Sequence, residues 1–97
     1  MKHNVENGTL TIYLEGDVNS YNADEVEMEI DKILLDNSFK RIVLDLEHLH
    51  YVSSAGIRII IRIKQQYDDL TLLKTPKQVF DVFQMVGLNS VVKIEKL

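Results

Sequence analysis

Two short apolar runs, Arg41-Ile42-Val43-Leu44-Asp45-Leu46 and Leu70-Thr71-Leu72-Leu73, flank a segment of helical length, and this arrangement does most to limit what the chain can become. Short, nearly unbroken apolar runs suit strands of a parallel sheet that are covered on both faces. Parallel neighbours cannot be joined by a tight turn and need a crossover, usually a helix. The residues from Gly56 to Tyr67 fill that place. Their isoleucines, Ile57, Ile59, Ile60, Ile61 and Ile63, are β-branched and disfavour a helix slightly. Length and position outweigh that preference, so a helix is expected. Arg58 and Arg62, four residues apart, would share one exposed edge of it.

The flanking segments extend the pattern. Asn7-Gly8 is the signal of a type I′ hairpin, whose two turn positions need positive φ. After it, Leu10, Ile12 and Leu14 alternate with polar residues as in a half-buried strand, with Lys2–Glu6 as its antiparallel partner and Gly16-Asp17 as its end. Asn22 with Glu25 resembles a capping box, and Ala23, Val26, Ile30, Ile33 and Leu34 then recur at helical spacing until about Asp36–Ser38. Glu47 to Ser54 reads as a turn-like stretch. Thr75-Pro76-Lys77-Gln78 is a helix start, with Thr75 as cap and Pro76 in the first turn. Val79, Phe80, Val82, Phe83 and Val86 supply its apolar side, and Gly87 is placed to end it. Val91–Ile94 reads as a last strand. The order β-β-α-β-α-β-α-β predicts an α/β fold with a mixed sheet, in which an antiparallel hairpin leads into parallel strands joined by right-handed crossovers. The helices are expected on one or both faces.

With 97 residues, positions 1–97 are expected to form one domain. A composition of 45% hydrophobic and 27% charged residues is that of a folded soluble protein. A net charge of -4 without a basic block argues against nucleic-acid or anionic-membrane partners. The absence of cysteine excludes disulfides, thiolate metal sites and cysteine nucleophiles. No signal-like start and no run of membrane-spanning length occur, which points by elimination to the cytoplasm.

Catalytic constellations are sparse. No Gly-rich phosphate loop is present. His48 and His50, beside Glu47, could point the same way along a strand as metal ligands, or be two partly exposed histidines at a loop edge. Ser54 with His50 lacks an oxyanion-hole signature. Asp17 and Asp45 at strand ends fit solvated chain reversals better than a metal site. No cofactor is implied. The informative stretch is Asp45 to Arg58, where a strand leads to two hydroxyls at the entry of a helix. Ser53 or Ser54 can be a plain N-cap. Either can also be an exposed phosphorylation site, since free N–H groups and the helix dipole accommodate a phosphate there, and the added charge of about -1.5 to -2 would reshape a binding surface.

Val43-Leu44-Asp45-Leu46 with Tyr51-Val52-Ser53-Ser54-Ala55-Gly56-Ile57-Arg58 closely resembles the signature of STAS domains, which are found in bacterial anti-sigma factor antagonists. Gly16-Asp17-Val18-Asn19 is similar to their motif after the hairpin, and Thr75-Pro76 through Gly87-Leu88 to their last helix. The resemblance covers nearly the whole chain. It implies a STAS-like fold and a regulatory protein, not an enzyme. It implies as partners an anti-sigma factor serine kinase, which releases its sigma factor on binding and phosphorylates the antagonist, and a phosphatase that restores it. A partner-switching module for a target other than a sigma factor, possible without phosphorylation, is the alternative. Two positions depart from the family pattern. Ala55 stands where many members carry the modified serine, so the acceptor would be Ser54 or Ser53, or neither is phosphorylated, and Asn19 stands in place of the usual aspartate. The implied binding surface comprises Ser53, Ser54, Ala55 and Gly56, the helix edge with Arg58 and Arg62, and the nearby loop with Asp17, Asn19 and Tyr21. Tyr21 is either an exposed anchor or a residue that packs inward at the helix start.

Overall fold

The computed structural model describes residues 1–97. The elements follow in the expected order: β1 (His3–Glu6), β2 (Thr9–Val18), α1 (Ala23–Asp36), β3 (Arg41–Val52), α2 (Ser54–Gln66), β4 (Leu70–Thr75), α3 (Lys77–Met85), a 3-10 turn at Leu88–Ser90, and β5 (Lys93–Lys96). They form one five-stranded sheet of order β1-β2-β3-β4-β5. Only β1 is antiparallel, and it pairs His3 with Ile12 and Glu6 with Thr9 across the Asn7-Gly8 turn, whose φ values of 52° and 79° are those of a type I′ hairpin.

Parallel strands that follow in chain order, joined by right-handed crossovers, place every crossover helix on the same face. The sheet is therefore covered on one side only, and β3 is not sandwiched as its apolar run suggests. Ile42, Leu44 and Leu46 point to the helices and are buried, whereas Val43 on the other face is only half-buried. On that open face Asp45 lies largely buried beside Tyr13, accepts a hydrogen bond from the Glu47 N–H at 3.1 Å, and has Lys74 Nζ at 3.8 Å. The core lies between the sheet and the helices. Leu10, Ile12, Leu44 and Leu72 meet Ile30, Ile33 and Leu34 of α1, Ile60 and Ile63 of α2, and Val79 and Phe83 of α3 in one buried cluster.

Four local expectations change. First, β2 continues through Gly16 (φ 69°) to Val18. Second, the stretch from Glu47 to Val52 is strand, not turn. The pairing passes from Tyr13↔Asp45 to Glu15↔His48 and from Gly16↔Leu49 to Asp17↔Tyr51, so β3 carries one extra residue at each step. Each bulge interrupts the two-residue alternation that marks a strand. Third, α1 is capped one turn early. Asn19 Oδ1 accepts from the N–H groups of Tyr21 (2.9 Å) and Asn22 (3.1 Å), and Asn22 Oδ1 accepts from the Asn19 N–H (2.8 Å). This is the reciprocal geometry of a capping box, built on Asn19 and Asn22 instead of Asn22 and Glu25. Fourth, Thr75 does not cap α3. It ends β4, is wholly buried, and its carbonyl accepts from the Leu97 N–H at 2.9 Å while its hydroxyl has no partner. Pairing with β5 holds it in the sheet, and Pro76 takes the cap position. Gly87 is left-handed (φ 77°) and terminates α3 as expected. No helix is long and apolar enough to cross a membrane.

Candidate functional site

The site is built where β2 and β3 end side by side. Val18 and Val52 are paired, and the Ser53 N–H donates to the Val18 carbonyl at 2.8 Å. Ser53 remains extended (φ -90°, ψ 176°), and its carbonyl accepts the first helical bond of α2 from the Ile57 N–H at 3.0 Å. The chain therefore turns from strand to helix at one residue. Gly56 permits it. A Cβ at that position would lie 2.6 Å from Val52 Cγ2 and 3.0 Å from Val18 Cγ1, so only glycine lets α2 approach the strand ends this closely. Gly56 is buried, and it supports the surface instead of facing a partner.

The two hydroxyls separate here. Ser53 Oγ is sealed against solvent, makes no hydrogen bond, and does not cap the helix. Ser54, the first residue of α2, is exposed. Ala55 is partly buried and packs against the core. Of these two serines, only Ser54 is exposed. Arg58 lies one turn further along the same helix edge, exposed and without an ion pair.

Arg62, expected on the same exposed binding edge, is instead half-buried and engaged within the chain. Its Nε donates to Glu27 Oε2 at 2.6 Å, one NH2 to Asp31 Oδ1 at 2.5 Å, and the other to Gln66 Oε1 at 2.6 Å. It clamps α2 to α1. Partial burial works against its charge, but the hydrogen bonds and charges of Asp31 and Glu27 outweigh that effect, and its pKa lies above the ordinary value.

Opposite the hydroxyl, the loop after β2 is held by the Asn19–Asn22 pair and by Asn22 Nδ2, which donates to the Asp17 carbonyl at 2.8 Å. The Asp17 side chain is exposed. Tyr21 is 97% exposed, which decides between its two readings: it does not pack inward at the helix start. Tyr51, in register with Asp17 and about half exposed, adds a second aromatic ring to this end. Sequence reasoning passed over it because it follows a bulge that no periodicity reveals. His48 and His50 are both exposed on the bulged strand, and no group of three metal-ligating side chains forms anywhere in the chain. The largest depression, about 580 Å³ and open, lies at the opposite end of the sheet against Phe39, Tyr67 and Asp69.

The family model of the STAS domain matches residues 1–96. This chain belongs to the STAS domain family. Among sequence relatives of this STAS domain is the Bordetella bronchiseptica anti-sigma factor antagonist BtrV, 36% identical over 88 residues that cover 87% of this chain and 75% of that protein. A solved anti-sigma factor antagonist of Thermotoga maritima superposes with a TM-score of 0.87 at 17% identity, covering 99% of this chain and 86% of that one. The Bacillus protein SpoIIAA in its phosphorylated form superposes at 0.67 with 18% identity, covering 96% of this chain and 88% of that one. The STAS fold is thus common to proteins that share little sequence.

Proposed function

We propose that this STAS domain is an anti-sigma factor antagonist, a binding protein and not an enzyme, which works in the cytoplasm. It docks an anti-sigma factor serine kinase on the Ser54 end of the sheet and thereby releases a sigma factor. The kinase transfers the γ-phosphoryl group of ATP to Ser54 Oγ, the complex breaks, and a phosphatase restores the hydroxyl. One observation carries this reading: Ser54 is exposed at the first position of α2, while the neighbouring Ser53 hydroxyl is sealed. The kinship with BtrV and the existence of SpoIIAA in a phosphorylated form support it. The docking surface comprises Ser54, Arg58, Asp17, Tyr21 and Tyr51, with Asn19 and Gly56 holding it in shape.

Incubation with the cognate kinase and ATP, followed by mass spectrometry, tests this. A single phosphate is expected on Ser54, lost in Ser54→Ala and retained in Ser53→Ala. Ser54→Asp should weaken the kinase complex by about 2–5 kcal/mol, as an unpaired charge in an interface does. A phosphate on another residue, or unchanged affinity of Ser54→Asp in a titration, would sink the proposal. The second reading, a module that switches a target other than a sigma factor without phosphorylation, draws on Ala55, a residue without a hydroxyl at the family's usual acceptor position. It predicts kinase-independent binding and no phosphate.

A further inference from the structure

We propose that the outer face of α1 is a second docking surface, separate from the Ser54 end, and that it receives a basic amphipathic helix of a protein partner. Met28 and Leu35 stand seven residues apart on α1 and are 73% and 83% exposed. Residues seven apart drift by only about 20° around a helix, so Met28 and Leu35 lie on one line along α1. A surface helix of a globular protein ordinarily turns polar residues outward and keeps its apolar stripe for the core. Here α1 has both: Ala23, Ile30, Ile33 and Leu34 face the sheet, and a second apolar line faces solvent.

The charges around that line choose the occupant. The inward-leaning acids of α1, Glu27 and Asp31, are held by Arg62, and Glu29 has the Met1 amino group at 3.5 Å. Asp24, Glu25 and Asp36 are exposed and carry no ion pair, against the single exposed base Lys32. An apolar line with an acidic rim complements a helix whose own apolar line is bordered by lysine or arginine. A second copy of this chain presenting the same face would set acids against acids, so charge disfavours self-pairing through α1.

The probe is a synthetic peptide of about five helical turns with leucines at heptad spacing and lysines on both flanks, titrated into the isotope-labelled full chain and followed by amide NMR shifts. A control peptide carries glutamate at every lysine. Shifts should concentrate in residues 23–36. Met28→Gln together with Leu35→Gln should weaken binding about tenfold or more with little change in Tm, since both side chains are exposed and glutamine is close to them in helix propensity. The glutamate peptide should not bind. Ser54→Asp should leave peptide binding unchanged, which keeps this result independent of the kinase site. No binding of the lysine peptide, shifts elsewhere, equal binding of the glutamate peptide, or wild-type affinity in the double variant would overturn the proposal. Concentration-dependent dimerisation that the double variant abolishes would also overturn it, by assigning the face to a second copy.

Discussion

Replacing Gly56 with alanine would set a methyl carbon 2.6 Å from Val52 Cγ2 and 3.0 Å from Val18 Cγ1. Neither neighbour can swing away easily. Both are buried, β-branched residues at paired strand ends, with restricted χ1. The strain must be relieved by lifting the first turn of α2 or bending the strands, and such overpacking costs about 1–3 kcal/mol. Alanine recovers part of this, because glycine within a helix is worse by about 0.5–1 kcal/mol. The net expectation is a loss of about 1–2 kcal/mol, and for a domain of this size roughly 5–15 °C in Tm. Thermal and urea unfolding of Gly56→Ala measure it directly. Val52→Ala in the same background removes the clashing methyl, so the pair should be less damaging than the sum of the single changes by about 1 kcal/mol. A Gly56→Ala protein as stable as wild type would show that glycine there is not a packing requirement. Additivity of the two changes would show that Val52 is not the obstacle.

The remaining predictions concern polar groups. Arg62→Met should cost about 1 kcal/mol, because its partners are partly solvated and exposed pairs contribute little, and urea midpoints should show the loss shrinking as salt is added. A raised Arg62 pKa contributes stability that is fully present below the unfolded value and lost only as pH rises through the folded one, both far above neutrality. Titration of Arg62 therefore adds no pH dependence between pH 6 and 9, which unfolding of both proteins across that range would check. Thr75→Val should stabilise by about 1 kcal/mol, since it removes a buried hydroxyl that has no partner and keeps the shape. Ser53→Ala should change stability by less than about 0.5 kcal/mol, whereas a working N-cap serine would cost about 1 kcal/mol. Asn19→Ala should cost about 1 kcal/mol by freeing the N–H groups of Tyr21 and Asn22, with Asn19→Asp retaining most of it, as chemical denaturation would reveal.

The segments that read correctly from sequence are those where one local rule dominates. Leu10, Ile12 and Leu14 alternate cleanly and lie in β2, Asn7-Gly8 makes its turn, and α2 is dictated by the need to cross between two parallel strands. Reading fails where two elements decide together. The bulges of β3 hide its second half, because every extra residue reverses which side chains face the core. Arg62 shares a helix edge with Arg58, but nothing in α2 tells that Glu27 and Asp31 of α1 come within reach. Thr75 and Asn22 have the composition of caps. Pairing with β5 captures the first, and Asn19 draws the second into a different box. Of the candidate site, the position of Ser54 follows from the strand-to-helix junction, whereas the sealing of Ser53 depends on packing that no spacing encodes.

These same contacts bear on how a phosphate at Ser54 would act. The Ser54 end is fixed from three sides: Gly56 against the two valines, Arg62 across to α1, and the Asn19–Asn22 pair in the facing loop. A switch that worked by rearrangement would have to break at least one of these, at about 1 kcal/mol or more each by the magnitudes above. A switch that worked by charge meets no such barrier. An anion at the first position of a helix is favoured by about 0.3–1 kcal/mol, and the unpaired Arg58 lies one turn along the same edge. The same charge placed against a docked partner costs about 2–5 kcal/mol. Charge is therefore the cheaper route, and Ser54→Asp should dissociate the complex while its backbone amide shifts outside residues 53–58 stay at wild-type positions. Shifts spreading through α1 and the loop at Asp17–Asn22 would point to rearrangement instead.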